Sequence, residues 1–477
     1  MIQKLWRREF LARQAMGIGS VALSWMLNQQ RSAARPPTVD PQPHRDLHPR
    51  MPPAPPQATA MISLFQHGGP SHMDLCDPKP ELSRLSGTEY AEDIQFSFVN
   101  DASKQLYGSP FRFRPHGQCG TELSELLPHT ASIVDDICLI RSMHTGANGH
   151  EVNIRYFHGG IPAVLGRPTL GSWLTYGLGC ESQDLPAYMV LSDPGGPPVD
   201  GVTNWSNGFM PALFQGTVLR PREPRILNLE APPHLRGVFQ RQSLELLREL
   251  NEQHLQAHPE EAELEARIAS YELAARMQTA AGEALDISRE TQATHRMYGL
   301  DRDETREYGT RCLIARRLVE RGVRFVQLFH ANQPWDNHSG IAAALPGICL
   351  KTDQPSAALV KDLKQRGMLD STIVHWGGEI GRLPVTQGPI ANAGRDHNGQ
   401  GFSLWMAGGG FRPGMAYGKT DDFGHRAIEN IVTPNDFQAT LLHLFGLDHQ
   451  QLTYPYNSRP QTITNGRPAH VVHDVIA

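Results

Sequence analysis

The sequence predicts an α/β fold built on a doubly wound, mostly parallel β-sheet with a helical insertion. Short apolar runs typical of buried strands alternate along the chain with amphipathic segments typical of helices. Glycine-rich polar stretches adjoin several of these runs, at the position where open parallel sheets carry their binding groups. The helical insertion is predicted at about residues 236–310, where the pattern changes to helical periodicity.

The first residues have the features of an export signal. Arg7 and Arg8 precede Phe10, an uncharged run covers residues 15–27, and small residues occupy 32–34. A charged segment, a short apolar segment and a small-residue cleavage site are typical of secretory signals, and paired arginines are typical of the twin-arginine type. The run of 13 uncharged residues is shorter than the roughly 20 needed to span a bilayer. We therefore expect cleavage rather than retention as a membrane anchor.

This signal sets the expected domain organisation and location. Residues 1–34 are predicted to be the signal peptide, residues 35–57 a proline-rich extended linker, and residues 58–477 the α/β domain. The twin-arginine export machinery is then a partner, and the mature protein is periplasmic or extracellular with no stable membrane span. An uncleaved signal would instead anchor the protein to the membrane.

Composition narrows the possible functions of the chain. A length of 477 residues with 39% hydrophobic residues supports a large core, and a net charge of −5 gives no electrostatic case for binding nucleic acid. The six cysteines are widely spaced without a CxxC pair, which argues against zinc-ribbon and thioredoxin motifs; disulfides and buried free thiols both stay open. The 22 histidines favour metal binding, because imidazole is a common metal ligand.

Six apolar runs are predicted to form strands, and two further segments to form helices. The strands are bounded by glycine, proline or polar residues. One helix is expected from about 307 to 321 with Gly322 as its stop, and another after Thr433, with Pro434 at its first position and Gly446 at its end. The predicted strands cover residues 60–65, 137–140, 188–191, 323–329, 372–376 and 402–407.

The first polar cluster directly follows strand 60–65. Glycines 68 and 69 allow the backbone to approach an anion or a metal closely, and His67, His72 and Asp74 are candidate ligands. Ser71 is a candidate nucleophile. The alternative is a structural turn in which Asp74 caps a helix.

The next two clusters lie after strands 137–140 and 323–329. In residues 141–151 a hydroxyl is followed by glycine, asparagine and a helix start, an arrangement that suits an activated nucleophile; an Asn/Gly turn is the alternative. Asp336 and His338 are two residues apart, so both can reach one cation, although an isolated pair of this kind is usually solvated. These ligands favour zinc, manganese or iron over calcium.

The last two clusters adjoin strands 372–376 and 402–407. Glu379 and Arg382 lie among glycines, and Arg395 is followed by Asp396 and His397. The planar guanidinium groups of Arg382 and Arg395 suit phosphate or sulfate oxygens. We expect all five clusters to converge at one edge of the sheet.

The order of these motifs resembles a known family. The motifs GGPSHxDxxDPKP, RSMHTxxxxHE, RLVERGVRFVQLF, WDxH, WGGExGR, GRDHN and ATLLHLFGLD are similar to those of the exported, sulfatase-like proteins known as the domain of unknown function 1501 family. The resemblance runs from about residue 58 to the C-terminus. That family is similar in turn to the alkaline phosphatase superfamily, whose members use one or two metals to hydrolyse phosphate or sulfate esters on a doubly wound sheet.

The resemblance implies roles for individual residues. Thr145 would supply the nucleophile-like hydroxyl, and Asp336, His338 and His397 would hold the first metal. Glu379 would be a further metal ligand in place of the aspartate of the usual Asp-His-Gly motif, and His67 or Asp74 would be a ligand near the position of the first acidic one. Arg382 or Arg395 would stabilise developing charge. The sequence departs from the superfamily in having Gln66 and His67 where the first strand ends, and in lacking a Cys/Ser-x-Pro-x-Arg segment.

These considerations imply an exported metal-dependent hydrolase of sulfate or phosphate esters. The resemblance implies one or two divalent ions, zinc, manganese or calcium, and a small-molecule or polysaccharide ester as the extracellular substrate. A non-catalytic sulfatase-like protein that binds polysaccharide or a cell-envelope partner is the alternative. A metal-dependent hydrolase of another ester class is a third possibility. The metal content of the purified protein distinguishes the catalytic hypotheses from the non-catalytic one.

Overall fold

The structure is a computed structural model that describes residues 46–98, 102–227, 229, 237–257 and 262–477. The predicted signal peptide and the first part of the predicted linker lie outside these residues. The linker residues from 46 onward follow the surface of the α/β domain: the Arg50 amide donates to Leu178 at 2.9 Å and the Gln57 amide to Leu444 at 2.8 Å. Among the described residues, no helix combines the length and hydropathy that a membrane crossing requires.

The described residues contain a central sheet of eight strands in the spatial order β8-β2-β7-β6-β1-β5-β3-β4. Every pairing in it is parallel except those of β7 with β2 and β6. All six predicted strands are present, and the unpredicted β4 and β8 are three-residue edge strands. The strands are β1 Ala60–Phe65, β2 Ile137–Met143, β3 Tyr188–Leu191, β4 Thr217–Leu219, β5 Phe325–Leu328, β6 Thr372–Gly377, β7 Phe402–Ala407 and β8 Met415–Tyr417.

Helices surround this sheet in the described part of the chain. The predicted insertion contains two long helices, α6 and α7, and the helix expected at about 307–321 is α9, which begins four residues earlier. The helices are α1 His72–Leu75, α2 Pro80–Arg84, α3 Pro128–Ala131, α4 His150–Gly159, α5 Leu170–Leu178, α6 Val238–Ala257, α7 Ala262–Leu285, α8 Gln292–Met297, α9 Asp303–Glu320, α10 Ile341–Gln365 and α11 Pro434–Leu444.

Both faces of the sheet are buried, which confirms the doubly wound α/β fold. On β1, Ile62 and Leu64 belong to a core shared with α9 and α10, whereas Met61 and Phe65 belong to a second core shared with α5 and α11. Successive side chains of a strand point to opposite faces, so an apolar strand needs a helical layer on each side.

The structure tests two local predictions, the start of helix α11 and the state of the cysteines. Thr433 is the N-cap of α11, as the sequence predicts, and the structure adds that it forms a reciprocal capping box with Asp436. All six cysteines lie within the described residues and are free thiols, five of them buried. The buried-thiol interpretation is therefore the one that holds in this structure.

The strand directions bring distant polar segments to one edge of the sheet. Strands β1, β2, β5 and β6 run in the same direction, so the segments that follow them emerge at the same edge. Strand β7 runs the opposite way, so the segment that precedes it starts there too. A short antiparallel pair then aligns Arg382 with His397. This edge carries the candidate site.

Candidate metal centre

Three imidazoles converge on the carboxylate of Asp336 at this edge. His338 Nε2 and His397 Nε2 lie 2.8 and 3.1 Å from Oδ1 of Asp336, and His150 Nε2 lies 3.4 Å from its Oδ2. The Nε2 atoms of His338 and His397 are 3.0 Å apart. Three nitrogens and one carboxylate group thus meet in one place, and these four residues are called the Asp336 cluster below.

The four members of the cluster come from three segments, each next to a different strand. Asp336 and His338 lie in the loop after β5, His150 is the first residue of α4 after β2, and His397 precedes β7. The loop carrying His338 packs directly against Gly394, where a Cβ atom would stand 2.0 Å from the carbonyl carbon of His338. Only glycine allows this approach between the two segments that carry His338 and His397.

The outward-facing nitrogens of the three histidines are held by oxygen acceptors. The Nδ1 of His397 is 2.8 Å from the carbonyl oxygen of Asn148, and that of His150 is 2.7 Å from Oε1 of Glu379. The Nδ1 of His338 is bonded to the amide oxygen of Gln387. Because these partners accept hydrogen bonds, each Nδ1 carries a proton, and an Nε2 that loses its own proton presents a lone pair to the cluster.

This arrangement fits a divalent cation. Two lone pairs 3.0 Å apart repel each other unless a proton or a cation lies between them, and the buried Nε2 of His150 has no hydrogen-bond partner among the described residues. Two sets of ligand atoms lie within 4.8 Å of one another, one from His150, Asp336 and His397 and one from His338, Asp396 and His397. Imidazole with carboxylate suits zinc and other transition metals better than calcium or magnesium.

The pKa shifts of Asp336 and His150 also favour a positive charge next to the Asp336 carboxylate. Burial alone would raise the pKa of Asp336, but the neighbouring imidazoles of His150, His338 and His397 and the guanidinium of Arg382 hold it well below its usual value. Burial alone would lower the pKa of His150, but Asp336 and Glu379 raise it to about 9. Two ionised carboxylates thus draw a proton onto His150 when no other cation is bound, and a metal ion would displace that proton.

Arg382 lies inside the structure behind Asp336. Its side chain is 1% exposed, with Nη2 2.5 Å from Oδ1 of Asp336 and Nε donating to Gly69 at 3.0 Å. It also donates to the carbonyl of Gly68. The guanidinium therefore holds the carboxylate and the loop after β1, with its donors engaged by protein oxygens.

Asp74 and Arg395 form a separate ion pair that is completely buried. Nε of Arg395 is 2.8 Å from Oδ2 of Asp74, and both side chains are 0% exposed. Ser71 donates to the same oxygen at 2.5 Å, and Tyr107 places its ring 4.9 Å from the guanidinium. Neither charged residue belongs to either set of close ligand atoms in the described residues.

His67 and Thr145 lie outside the hydrogen bonds of the Asp336 cluster. His67 is buried, its ring lies edge-on to Phe65, and neither of its nitrogens has a hydrogen-bond partner among the described residues. Burial lowers its pKa. The Thr145 hydroxyl is half-buried and donates over 3.3 and 3.4 Å to the carbonyls of Ala147 and Gly399.

The structure adds two residues that the sequence did not single out as ligands, His150 and Asp396. His150 stands in the RSMHTxxxxHE motif, and its position at the start of α4, at the same sheet edge, is the signal that could have identified it. Oδ2 of Asp396 accepts from the amides of Ser97 and Phe98 at 2.8 and 3.2 Å. The half-exposed ring of Phe98 then lies against His338, with centroids 4.9 Å apart.

We expect Gly394→Ala to weaken the metal centre without changing any candidate ligand. The new methyl group would overlap the His338 backbone, and overpacking of this kind costs about 1–3 kcal/mol of folding free energy. Denaturant unfolding and metal titration would measure both effects. The matched control is Gly347→Ala, on an exposed part of α10 with no atom within 4 Å of the added methyl group, where we expect unchanged or slightly increased stability. Equal behaviour of the two variants would contradict the close approach.

No curated protein sequence matches this chain. Similar solved structures include the lipoteichoic acid synthase LtaP from Listeria monocytogenes, at 8% identity over 85% of this chain and 76% of that chain, with a TM-score of 0.34. They also include the PsFucS1 sulfatase from Pseudoalteromonas sp., at 13% identity over 67% and 62% of the two chains (TM-score 0.32). The phosphonate monoester hydrolase SpPMH from Silicibacter pomeroyi shares 11% identity over 70% of each chain (TM-score 0.31).

The family model described as "Protein of unknown function (DUF1501)" matches residues 58–476. This range includes the Asp336 cluster and every strand of the central sheet. The match also agrees with the motifs that predict this family from the sequence. The chain therefore belongs to the DUF1501 family.

Proposed function

We propose that the protein is a metal-dependent hydrolase of sulfate or phosphate esters, with Asp336, His150, His338 and His397 as the ligands of one divalent ion. The observation that carries the proposal is the convergence of three imidazole Nε2 atoms on one carboxylate. A divalent ion bound there would polarise an ester oxygen and lower the pKa of a hydroxyl or water. The nitrogen-rich ligand set favours zinc or manganese over calcium.

In this proposal the remaining predicted residues act as a nucleophile, as a positioning group or as a further ligand. Thr145 is the candidate nucleophile, because its long hydrogen bonds leave the hydroxyl able to turn toward a substrate. It lies in the same loop as Asn148, whose carbonyl is bonded to His397. Arg382 holds Asp336 in place, since its donors are engaged within the protein. His67 is a candidate further ligand, because both of its nitrogens lack hydrogen-bond partners among the described residues.

The proposal includes a place of action outside the cytoplasm. Export by the twin-arginine machinery rests on residues 1–34, and an extracellular small-molecule or polysaccharide ester follows from that location. Twin-arginine export carries folded proteins, so a metal ion would be acquired before export.

Elemental analysis of the purified mature protein, followed by a screen of aryl phosphate, phosphodiester and aryl sulfate substrates, tests this function. We expect about one divalent ion per chain, and activity that a chelator removes and the ion restores. His338→Ala removes one ligand and should reduce both metal content and activity. The control is His470→Ala, which alters an exposed histidine far along the sequence and should change neither.

Three results would overturn the catalytic proposal. They are the absence of stoichiometric metal from the wild-type protein, metal binding by His338→Ala equal to that of the wild type, and a lack of activity toward all three ester classes. Retention of polysaccharide binding with any of these results would support the non-catalytic alternative.

A further inference from the structure

We infer that Glu379 is a positioning residue that orients His150 and is not itself a ligand of the ion. The inference rests on the proposed metal centre and assigns a different role from the one implied by the family resemblance. Glu379 is completely buried, and neither set of close ligand atoms among the described residues includes it. Its carboxylate reaches the centre through His150.

The contacts of the carboxylate account for both oxygens. Oε1 of Glu379 lies 2.7 Å from Nδ1 of His150 and accepts from the Gly68 amide at 3.0 Å, while Oε2 accepts from the same amide at 3.3 Å. The carboxylate therefore faces the side of the imidazole opposite to Asp336. A carboxylate in this place fixes the tautomer of the histidine and increases the basicity of its other nitrogen.

The backbone at Gly68 ties this pair to the rest of the centre. Gly68 has φ +104, and a Cβ atom there would stand 2.8 Å from the Asp336 amide nitrogen. One glycine thus contacts the Glu379 carboxylate and the Asp336 backbone at once. Because β1 and β6 are neighbours in the sheet, the two segments are held at a fixed separation.

His150 differs from the other two histidines in the charge of its outer partner. His338 is bonded to the neutral amide of Gln387 and His397 to the neutral carbonyl of Asn148. Only His150, among the three, has a carboxylate as this partner. The Nε2 of His150 should therefore be the most basic of the three ligating nitrogens.

A double-mutant cycle with Co²⁺ as the probe tests this role. The four proteins are the wild type, Glu379→Gln, His150→Ala and the double variant, each titrated with Co²⁺ while the visible ligand-field spectrum is recorded. We expect Glu379→Gln to keep the wild-type spectrum and stoichiometry while its affinity falls about 10- to 100-fold. His150→Ala should lose more affinity and change the spectrum. The double variant should match His150→Ala, because Glu379 acts only through that imidazole.

The outcomes separate this inference from the proposed function. Loss of a ligand from the Co²⁺ spectrum in Glu379→Gln, or additive losses of affinity in the double variant, would overturn the positioning role and leave the metal centre intact. A wild-type protein that binds no Co²⁺ would overturn the proposed function itself.

A second variant and a control guard against misfolding. Glu379→Asp keeps the buried charge but shortens the side chain, so the contact with His150 is lost and the affinity should fall as in Glu379→Gln; affinity equal to the wild type would contradict the inference. Glu429→Gln alters an exposed carboxylate paired with Lys419 and should leave Co²⁺ binding unchanged. Circular dichroism of each metal-free variant checks its fold.

Discussion

Replacing Asp74 with alanine is expected to lower the free energy of unfolding by about 3–5 kcal/mol. The reason is that Arg395, whose side chain is 0% exposed, would keep a buried charge without its partner. Its remaining contacts, a 3.3 Å hydrogen bond to the Leu383 carbonyl and the ring of Tyr107, do not neutralise it. Denaturant unfolding followed by circular dichroism would measure the change.

An exposed ion pair supplies the control for this prediction. Lys419 and Glu429 are 2.7 Å apart, but their side chains are 67% and 51% exposed. Solvent screens such pairs, so Lys419→Ala should cost no more than about 1 kcal/mol. A double variant, Asp74→Leu with Arg395→Met, should recover part of the stability lost in Asp74→Ala, because it removes both charges. Losses of similar size in Asp74→Ala and Lys419→Ala would contradict the prediction, because they would show that burial does not increase the cost of losing one partner of an ion pair.

The buried ion pair of Asp74 and Arg395 also contributes to the loss of folding stability at low pH. Burial acts to raise the pKa of Asp74, but Arg395 and Ser71 outweigh this effect and lower the pKa below its usual value. A carboxyl group with a depressed folded pKa stabilises the protein above its unfolded pKa and loses that contribution as the pH falls through the folded value. The stability of the wild type should therefore decline more steeply below about pH 4 than that of Asp74→Asn.

Local patterns in the sequence were sufficient for the main elements of the fold. Strand β1 is a run of six buried residues followed, after two further residues, by two glycines. Helix α11 has its cap and its first-turn proline in consecutive residues, and Gly446 follows two residues after its last residue. The missed edge strands β4 and β8 have three residues each, too few to establish a period. Their positions depend on pairing with strands distant in the sequence.

The candidate site was less accessible to sequence reasoning, because its contacts are long-range. Asp74 and Arg395 are separated by 321 positions, and each alone has the residue type of a metal ligand or an anion-binding group. The sequence around either residue does not indicate that the two side chains form an ion pair with each other. His150 presents the reverse case, since a histidine at the first position of a helix becomes significant only when the loop after β5 places Asp336 beside it.

The largest effect on metal binding is expected for Asp336→Asn. Asp336 is the acidic member of the proposed ligand set, and its Oδ1 contacts His338, His397 and Arg382 within 3.1 Å. An amide keeps the shape of the side chain but removes the negative charge that offsets the ion. We expect affinity for Zn²⁺ to fall by more than the roughly 10- to 100-fold expected for an outer partner, with ester hydrolysis lost in parallel. Competition titration with a chromophoric chelator would measure the change.

Asp396→Asn is the matched control, and it also discriminates between the two possible ligand sets. Asp396 belongs to the set with His338 and His397, but its oxygens already accept from the amides of Ser97, Phe98 and His397. If the ion is held around Asp336, Asp396→Asn should keep one Zn²⁺ per chain with little loss of affinity. Loss of the ion in Asp396→Asn together with retention in Asp336→Asn would place the centre on the other set. Because His397 belongs to both sets, the comparison of Asp336→Asn with Asp396→Asn distinguishes them.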